Sequence, residues 1–196
     1  MSKVFTGEQE RKIKAFINLA LEFNKTHNIF SRTSYKEVYE KDILDCKPLD
    51  NYINRNKNIL DLGSGGGFPG ILLSITNPSN NISLLESNNK KCYFLRKISH
   101  ELNLKNTTVI NKTIYENNQL GSFDIIVSRA FATIEKTINL TKTNTHKSTK
   151  YLLLKGKESV IKKELKDIDK NKFRYEIIKQ EAGLKERNIV LLKNNE

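Results

Sequence analysis

The N-terminal part of the chain places apolar residues at helical spacing. Residues 8–23 carry apolar side chains at three- and four-residue steps, as in an amphipathic helix: Ile13, Phe16, Ile17, Leu19, Ala20 and Phe23. A second helix is predicted over about 34–46, with Val38, Ile43 and Leu44 facing inward, before Pro48 ends it. Residues 1–56 are therefore interpreted as an N-terminal helical extension.

Beyond residue 57 the pattern changes to short apolar runs that alternate with amphipathic segments. Strands are predicted at about 59–62, 82–86, 107–110, 123–127 and 151–154, and helices at about 71–75, 88–103, 134–142 and 158–168. Two further strands, at about 173–179 and 188–193 and joined by Ala182-Gly183, predict a closing antiparallel hairpin. Such alternation favours an α/β fold with a seven-stranded, mostly parallel sheet and helices on both faces. Residues 57–196 are predicted to form one compact domain.

The connection after the first of these strands is the most informative segment. It reads Asp61-Leu-Gly-Ser-Gly-Gly-Gly-Phe-Pro-Gly70, and its glycines allow positive φ and close approach of a ligand to the backbone. The helix that follows offers unpaired N–H groups to an anion. The next strand ends at Glu86, 23 residues after Gly63, where a carboxylate can accept both hydroxyls of a ribose. This order of elements predicts a nucleotide-like cofactor and disfavours a plain tight turn.

The position of Asp61 favours one class of cofactor. A dehydrogenase fingerprint would read G-x-G-x-x-G, and the loop matches it only in part. Asp61 instead gives D-x-G-x-G, a pattern typical of S-adenosylmethionine enzymes. A carboxylate there suits the cationic amino-acid moiety of that cofactor better than it suits a pyrophosphate.

The charge of the chain is high and unevenly distributed. The formal net charge is +12, from 34 Lys and Arg against 22 Asp and Glu. Residues 136–172 carry eleven Lys against four acids, and residues 88–105 carry five basic residues against one acid. This clustering favours a polyanionic partner, although a solvated lysine-rich surface remains an alternative.

Other residue types exclude several classes of protein. Cys46 and Cys92 lack the spacing of metal ligands and are interpreted as reduced structural thiols of a cytoplasmic protein. The three histidines are scattered, so no metal site is predicted. The sequence begins without a signal-peptide core, and its apolar stretches are too short for a membrane span.

Further motifs extend over nearly the whole chain: Asn28-Ile-Phe-Ser31, Asp42-Ile-Leu-Asp45, Leu84-Leu-Glu-Ser87 with Lys90-Lys91, Phe94-Leu-Arg96, Ser128-Arg-Ala-Phe-Ala132 and Leu154-Lys-Gly156. With them, the chain resembles the RsmG (GidB) family of bacterial 16S ribosomal RNA guanine-N7 methyltransferases. The Ser128–Ala132 stretch and the Phe68-Pro-Gly70 end of the glycine loop are the most specific pieces. The chain departs from the family in having Asp42 where a histidine is usual and Cys46 in place of a serine.

The resemblance implies a Rossmann-like class I S-adenosylmethionine-dependent methyltransferase. It implies transfer of a methyl group to N7 of a guanine in the 530 loop of 16S rRNA. The substrate would be the RNA or a precursor of the small ribosomal subunit, and a monomer is expected. Guanine N7 is a bare lone pair with no proton to remove, so such a reaction needs orientation and no general base. No catalytic acid or base is therefore assigned.

The resemblance also implies roles for individual residues. Gly63 and Phe68 line the cofactor, Glu86 and Ser87 reach its ribose, Ile114 and Tyr115 flank its adenine, and Arg129 lies at the methyl-transfer end as a candidate for positioning. For Phe68 and Tyr115 the alternative is ordinary core packing, and for Arg129 it is a structural ion pair.

Two other functions remain open on the sequence alone. One is a small-molecule methyltransferase, which the basic windows and the motifs disfavour. The other is a nucleotide-binding RNA or ribosome assembly factor that has kept the fold without catalysis. The presence of Asp61, Gly63, Glu86 and Arg129 argues against such a loss.

Overall fold

The computed structural model describes residues 4–180 and 186–195. One seven-stranded sheet runs in the order β3-β2-β1-β4-β5-β7-β6. The strands are β1 (Asn58–Leu62), β2 (Asn81–Glu86), β3 (Thr107–Asn111), β4 (Ile125–Arg129), β5 (Lys150–Lys155), β6 (Phe173–Gln180) and β7 (Arg187–Asn194). Strands β1 to β5 pair in parallel, and β7 pairs antiparallel with both β5 and β6. The predicted parallel sheet and closing hairpin are confirmed, while Ala182-Gly183 lies outside the described residues.

Seven α-helical segments of the described residues surround this sheet. They are α1 (Gly7–His27), α2 (Tyr35–Val38), α3 (Leu44–Cys46), α4 (Gly70–Thr76), α5 (Asn89–Glu101), α6 (Ile134–Thr141) and α7 (Glu158–Glu164). Turns of 3-10 helix follow at Lys47–Tyr52, Lys142–Asn144 and Leu165–Asp167. Among the described residues, no helix is both long and apolar enough to cross a membrane.

Local sequence explains where α1 begins and ends. The Thr6 hydroxyl accepts from the backbone N–H of Gln9 at 3.3 Å, and the Gln9 side chain accepts from the N–H of Thr6 at 2.9 Å. This reciprocal capping satisfies two N–H groups that the first turn would leave unpaired. Asn28 ends the helix in the left-handed conformation.

The second predicted helix, over about 34–46, is interrupted. A π-helical turn, Tyr39–Ile43, separates α2 from α3. A π turn inserts an extra residue and so shifts which side chains face inward. Asp42 becomes buried beside Val38 and Ile43, whereas Leu44, predicted to face inward, is only half-buried.

Side chains of successive strand residues pack alternately into two apolar cores, one on each face of the sheet. Ile59 and Val127 belong to the core that includes α1, α4 and α5. Leu60 and Ile126 belong to the other, which α6 and α7 cover. Helix α5, in the basic window 88–105, and helices α6 and α7, in and next to the basic window 136–172, therefore lie against opposite faces of the sheet.

Several of the predicted site residues lie at the carboxyl edge of the sheet, where the parallel strands end. Leu62 is in register with Leu85 on one side and with Ser128 on the other. The segments that follow these strands therefore lie side by side. Because β7 runs antiparallel, its first residue, Arg187, reaches the same edge beside Lys155.

Candidate active site

A cleft of about 410 Å³ opens at this carboxyl edge. Its walls are the glycine loop, the segment after β4, the end of β5 and the start of β7, together with residues of the helical extension. Of the predicted site residues, Gly63, Phe68 and Arg129 line it. The volume lies in the range of small-molecule pockets, about 300–1,000 Å³.

The glycine loop presents bare backbone to this cleft. Gly63 (φ +74°), Gly65 (φ +55°) and Gly67 (φ +92°) adopt left-handed conformations that other residues rarely tolerate. A Cβ added at Gly65 would meet only the Gly63 carbonyl, at 3.7 Å. A Cβ at Gly63 would instead lie 2.6 Å from the Phe131 ring. Thus Gly63 is required by close packing of Phe131, and Gly65 leaves room for a ligand.

Asp61 lies beneath the loop and is fully buried. Its Oδ2 accepts from the Gly70 N–H at 3.0 Å, at the start of α4, and its Oδ1 has no hydrogen-bond partner among the described residues. The side chain therefore caps the start of α4, a role in addition to the predicted contact with a cationic moiety. Burial raises the pKa of Asp61 to about 7, against the lowering effect of the Gly70 hydrogen bond.

The raised pKa of Asp61 predicts a pH-dependent stability. The unfolded carboxyl titrates near pH 4, so between about pH 4 and pH 7 it ionises in the unfolded chain before it does so in the folded one. The free energy of unfolding of the wild type, relative to Asp61→Asn, should fall as the pH rises through this window. Urea unfolding of both proteins from about pH 5 to pH 8 measures this difference. Parallel curves would show that Asp61 is already ionised at pH 5.

Glu86 links the glycine loop to α5. One carboxylate oxygen accepts from the Gly65 N–H at 3.0 Å, and the other accepts from the Asn88 N–H at 2.8 Å. The residue is buried at the end of β2. Because each carboxylate oxygen can accept more than one hydrogen bond, ribose hydroxyls remain compatible with this arrangement.

Replacing Glu86 with alanine should weaken cofactor binding. The change removes the predicted ribose acceptor and also the hydrogen bond that fixes Gly65, so a loss of about 1–3 kcal/mol in binding free energy is expected. Calorimetric titration with S-adenosylmethionine or its demethylated product provides the measurement. Glu101→Ala, an exposed carboxylate on α5, is the matched control. Equal affinities for both variants would remove Glu86 from the cofactor site.

Four predicted cofactor residues lie outside the lining of the cleft, and Glu86 is one of them. Ser87 is exposed directly after Glu86, and Ile114 is buried in the core that also contains Leu85. Tyr115 is 60% exposed, so core packing does not explain it. Their roles beside the ribose and the adenine stay predictions.

Phe68 both packs in the core and lines the cleft. It is 5% exposed, and its ring centroid lies 4.9 Å from that of Phe16 on α1. On its other side, the Arg129 guanidinium carbon lies 5.3 Å from the ring centroid, within cation–π range. The aromatic ring therefore joins the helical extension to Arg129.

Arg129 is the centre of a chain of alternating charges. Its guanidinium contacts Asp42 Oδ1 at 2.8 Å and Asp45 Oδ2 at 3.4 Å. Arg32 Nε contacts the other oxygen of Asp42 at 3.0 Å, and Arg187 Nε contacts the other oxygen of Asp45 at 3.0 Å. The structure therefore shows Arg129 in a structural ion pair. Its side chain is still 22% exposed, so the guanidinium can also contact a substrate in the cleft.

Several cleft residues were not predicted as site residues: Arg32, Asp45, Ala130, Lys155 and Arg187. Asp42 and Asp45, three residues apart, share one face of the helical segment, which the Asp-Ile-Leu-Asp motif could have indicated. Ala130 has a φ of +53°, unusual for a residue other than glycine. A lone Arg187 in a charged C-terminal segment carries no sequence signal of this kind.

Both cysteines are buried free thiols, in agreement with their predicted structural role. Burial raises the pKa of Cys46 and of Cys92, which keeps the thiols protonated and unreactive. In the part of the chain that the structure describes, no group of three or more His, Cys, Asp or Glu side chains is arranged to hold a metal ion.

Several solved structures with this architecture are named as methyltransferases. An S-adenosylmethionine-dependent methyltransferase from Aquifex aeolicus superposes with a TM-score of 0.62 at 14% identity, covering 88% of this chain and 97% of that one. A precorrin-6y methyltransferase from Geobacter metallireducens gives a TM-score of 0.59 at 14% identity, covering 87% and 92%. The predicted Rossmann-like methyltransferase fold is confirmed, and the family match below also indicates S-adenosylmethionine as the cofactor.

Similarity in sequence identifies the methyltransferase family to which the chain belongs. A family model described as rRNA small subunit methyltransferase G (GidB) matches residues 9–190. The ribosomal RNA small subunit methyltransferase G of Brachyspira hyodysenteriae is 35% identical over 192 residues, 97% of this chain and 93% of that protein. The ribosomal RNA small subunit methyltransferase G of Ruthia magnifica is 39% identical over 152 residues, which are 76% of this chain and 73% of that protein. The chain belongs to the rRNA small subunit methyltransferase G (GidB) family.

Proposed function

We propose that the protein transfers the methyl group of S-adenosylmethionine to N7 of a guanine in the 530 loop of 16S rRNA. The main support for this proposal is the composition of the cleft. A glycine loop with open backbone forms one wall, and Arg32, Arg129 and Arg187 line the same cleft. Guanidinium groups donate to phosphate oxygens and to guanine O6, both of which an RNA substrate presents. Membership of the family supports rRNA as the substrate class.

The residues present fit the cofactor. Gly65 offers space beside bare backbone, and the buried Glu86 carboxylate lies under the same loop, within reach of a ribose diol. Gly63 and Phe68 would border the remaining part of the ligand. When bound, S-adenosylmethionine supplies an electrophilic methyl group on a sulfonium.

The protein's own contribution is orientation. N7 carries a lone pair in the plane of the base, so transfer requires in-line placement and no proton acceptor. Asp42 and Asp45 hold the Arg129 guanidinium in one position before substrate arrives. Such preorganisation reduces the entropy lost on binding. We place the reaction in the bacterial cytoplasm, with a monomer acting on the RNA or on a precursor of the small subunit.

Mapping N7-methylguanosine in 16S rRNA with and without the gene tests this function. The modification in the 530 loop should disappear without the gene and return when the wild-type gene is supplied. The purified protein with S-adenosylmethionine should also methylate 16S rRNA or small-subunit particles from the deletion strain. If these RNAs are bound but never methylated, the chain is an assembly factor without catalysis, and the proposal fails.

A further inference from the structure

A second group of cationic side chains lies at the opposite edge of the sheet, where the parallel strands begin. This basal cluster consists of Lys57, Lys147, Lys150, Arg174 and Lys193, which line a cavity of about 730 Å³. Asp124 is the acidic residue in the lining, and it already accepts from the Asn58 N–H at 2.8 Å and from Lys57 at 3.4 Å. Of the described residues, five cationic groups and one engaged carboxylate therefore line the cavity.

Three members of the basal cluster form a row across neighbouring strands. Lys150 on β5 is in register with Lys193 on β7, and Lys193 is in register with Arg174 on β6. Register partners point to the same face and lie roughly 5 Å apart, so like charges placed there repel. Lys147, Arg174 and Lys193 form no ion pair with another described residue. The fold thus maintains an unfavourable row of charges that an anionic ligand would neutralise.

The immediate surroundings of Lys150 also favour the binding of an anion. The Lys150 ammonium donates to the backbone carbonyl of Tyr52, which ties it to the end of the helical extension. Burial lowers the pKa of Lys150, and the charges of Lys193 and Lys57 lower it further. A bound anion would relieve this repulsion directly.

The basal cluster is separate from the active-site cleft. Strand β5 carries Lys150 to the basal cavity and Lys155 to the cleft. Five residues of extended strand place these two positions about 17 Å apart. A ligand that reaches both sites must therefore be large and carry repeated negative charges.

We propose that the basal cluster is a second RNA-binding site that holds phosphates of the substrate backbone. The repeated charges of a phosphodiester chain match a row of cations that spans three strands, which a single small anion would not require. This inference rests on the proposed function, because it assigns the same RNA substrate to a surface remote from methyl transfer. The expected contribution is affinity, with the chemical step unaffected.

The test is a triple variant, Lys147→Gln, Arg174→Gln and Lys193→Gln. These side chains are exposed and lie outside the active-site cleft. A control with the same loss of charge is Arg11→Gln, Lys14→Gln and Lys25→Gln on the exposed side of α1. Binding of 16S rRNA is measured over a range of salt concentrations for both variants and the wild type, together with S-adenosylmethionine affinity and methyl-transfer kinetics.

The basal variant should bind 16S rRNA more weakly than the control does. Its slope of log affinity against log salt should be smaller than that of the wild type by about 2 to 3, since each lost phosphate contact removes about 0.7–0.9. The KM for RNA should rise, while kcat at saturating RNA and cofactor affinity remain those of the wild type.

Three outcomes would overturn the proposal. A slope and KM equal to those of the control would show that the basal cluster is only a soluble surface. Weaker binding of the assembled small subunit with unchanged binding of free 16S rRNA would assign it to a protein partner. Saturable binding of inorganic phosphate that the triple variant loses, without any change in RNA binding, would make it a small-anion site. Because RNA binding is measured without methylation, a failure of the proposed reaction would be seen separately.

Discussion

Gly70→Ala is expected to destabilise the protein by about 3 kcal/mol, at the upper end of the usual effect of overpacking a core. An added Cβ would lie 2.2 Å from Leu84 Cδ2 and 2.4 Å from Asp61 Oδ2, and both side chains are fully buried. Either β2 or the start of α4 would have to move, and the Gly70 N–H would lose its acceptor on Asp61. Urea unfolding measures the change in the free energy of unfolding.

Gly7→Ala is the matched control for this substitution. Gly7 also begins a helix, and a Cβ there meets nothing within 4 Å. Its stability should equal or slightly exceed that of the wild type, because alanine reduces the entropy of the unfolded chain. If Gly70→Ala were as stable as Gly7→Ala, the close approach of α4 to β1 and β2 would not be a constraint on the fold.

Arg129→Ala is expected to affect both stability and methyl transfer. Removing one partner of a buried ion pair destabilises by about 3–5 kcal/mol, and the lower value is expected because Asp42 and Asp45 each keep a second arginine. The folded fraction should transfer methyl groups on the order of a hundredfold more slowly, as small misplacements of a reacting group produce losses of this size. Unfolding curves and single-turnover rates at a temperature where the variant is folded give the two quantities.

Two comparisons separate positioning from stability at Arg129. Asp45→Asn weakens the hold on Arg129 without removing the guanidinium, so its rate should fall less than that of Arg129→Ala. Arg55→Ala, an exposed arginine between the extension and β1, should change neither property. A wild-type rate in folded Arg129→Ala would leave that residue a purely structural ion-pair partner.

The fold could be predicted because its signals are local. Short apolar runs marked the strands, and the order of strand, glycine loop and helix determined their direction. Some of the predicted boundaries are wrong by one or two residues. The strand predicted at 123–127 is Ile125–Arg129, since Phe123 is buried but its N–H donates to the Asn144 carbonyl outside the ladder.

The charged network could not be predicted in the same way. Its members come from the extension, from β4 and from β7, and only tertiary structure brings Asp45, Arg129 and Arg187 together. The π turn that buries Asp42 also breaks the helical periodicity from which the helix over about 34–46 was predicted. Glu86 was predicted as a ribose acceptor from its spacing, whereas its two backbone hydrogen bonds follow from how the loops fold.

The position of β7 affects how the enzyme matures during translation. This strand lies between β5 and β6 and supplies Arg187 to the cleft, yet it follows every other described strand in the chain. N-terminal segments emerge from the ribosome first, so the glycine loop and Arg129 are available while β5 still has an open edge. A nascent or prematurely terminated chain is therefore expected to lack a finished cleft and to be prone to association through that edge.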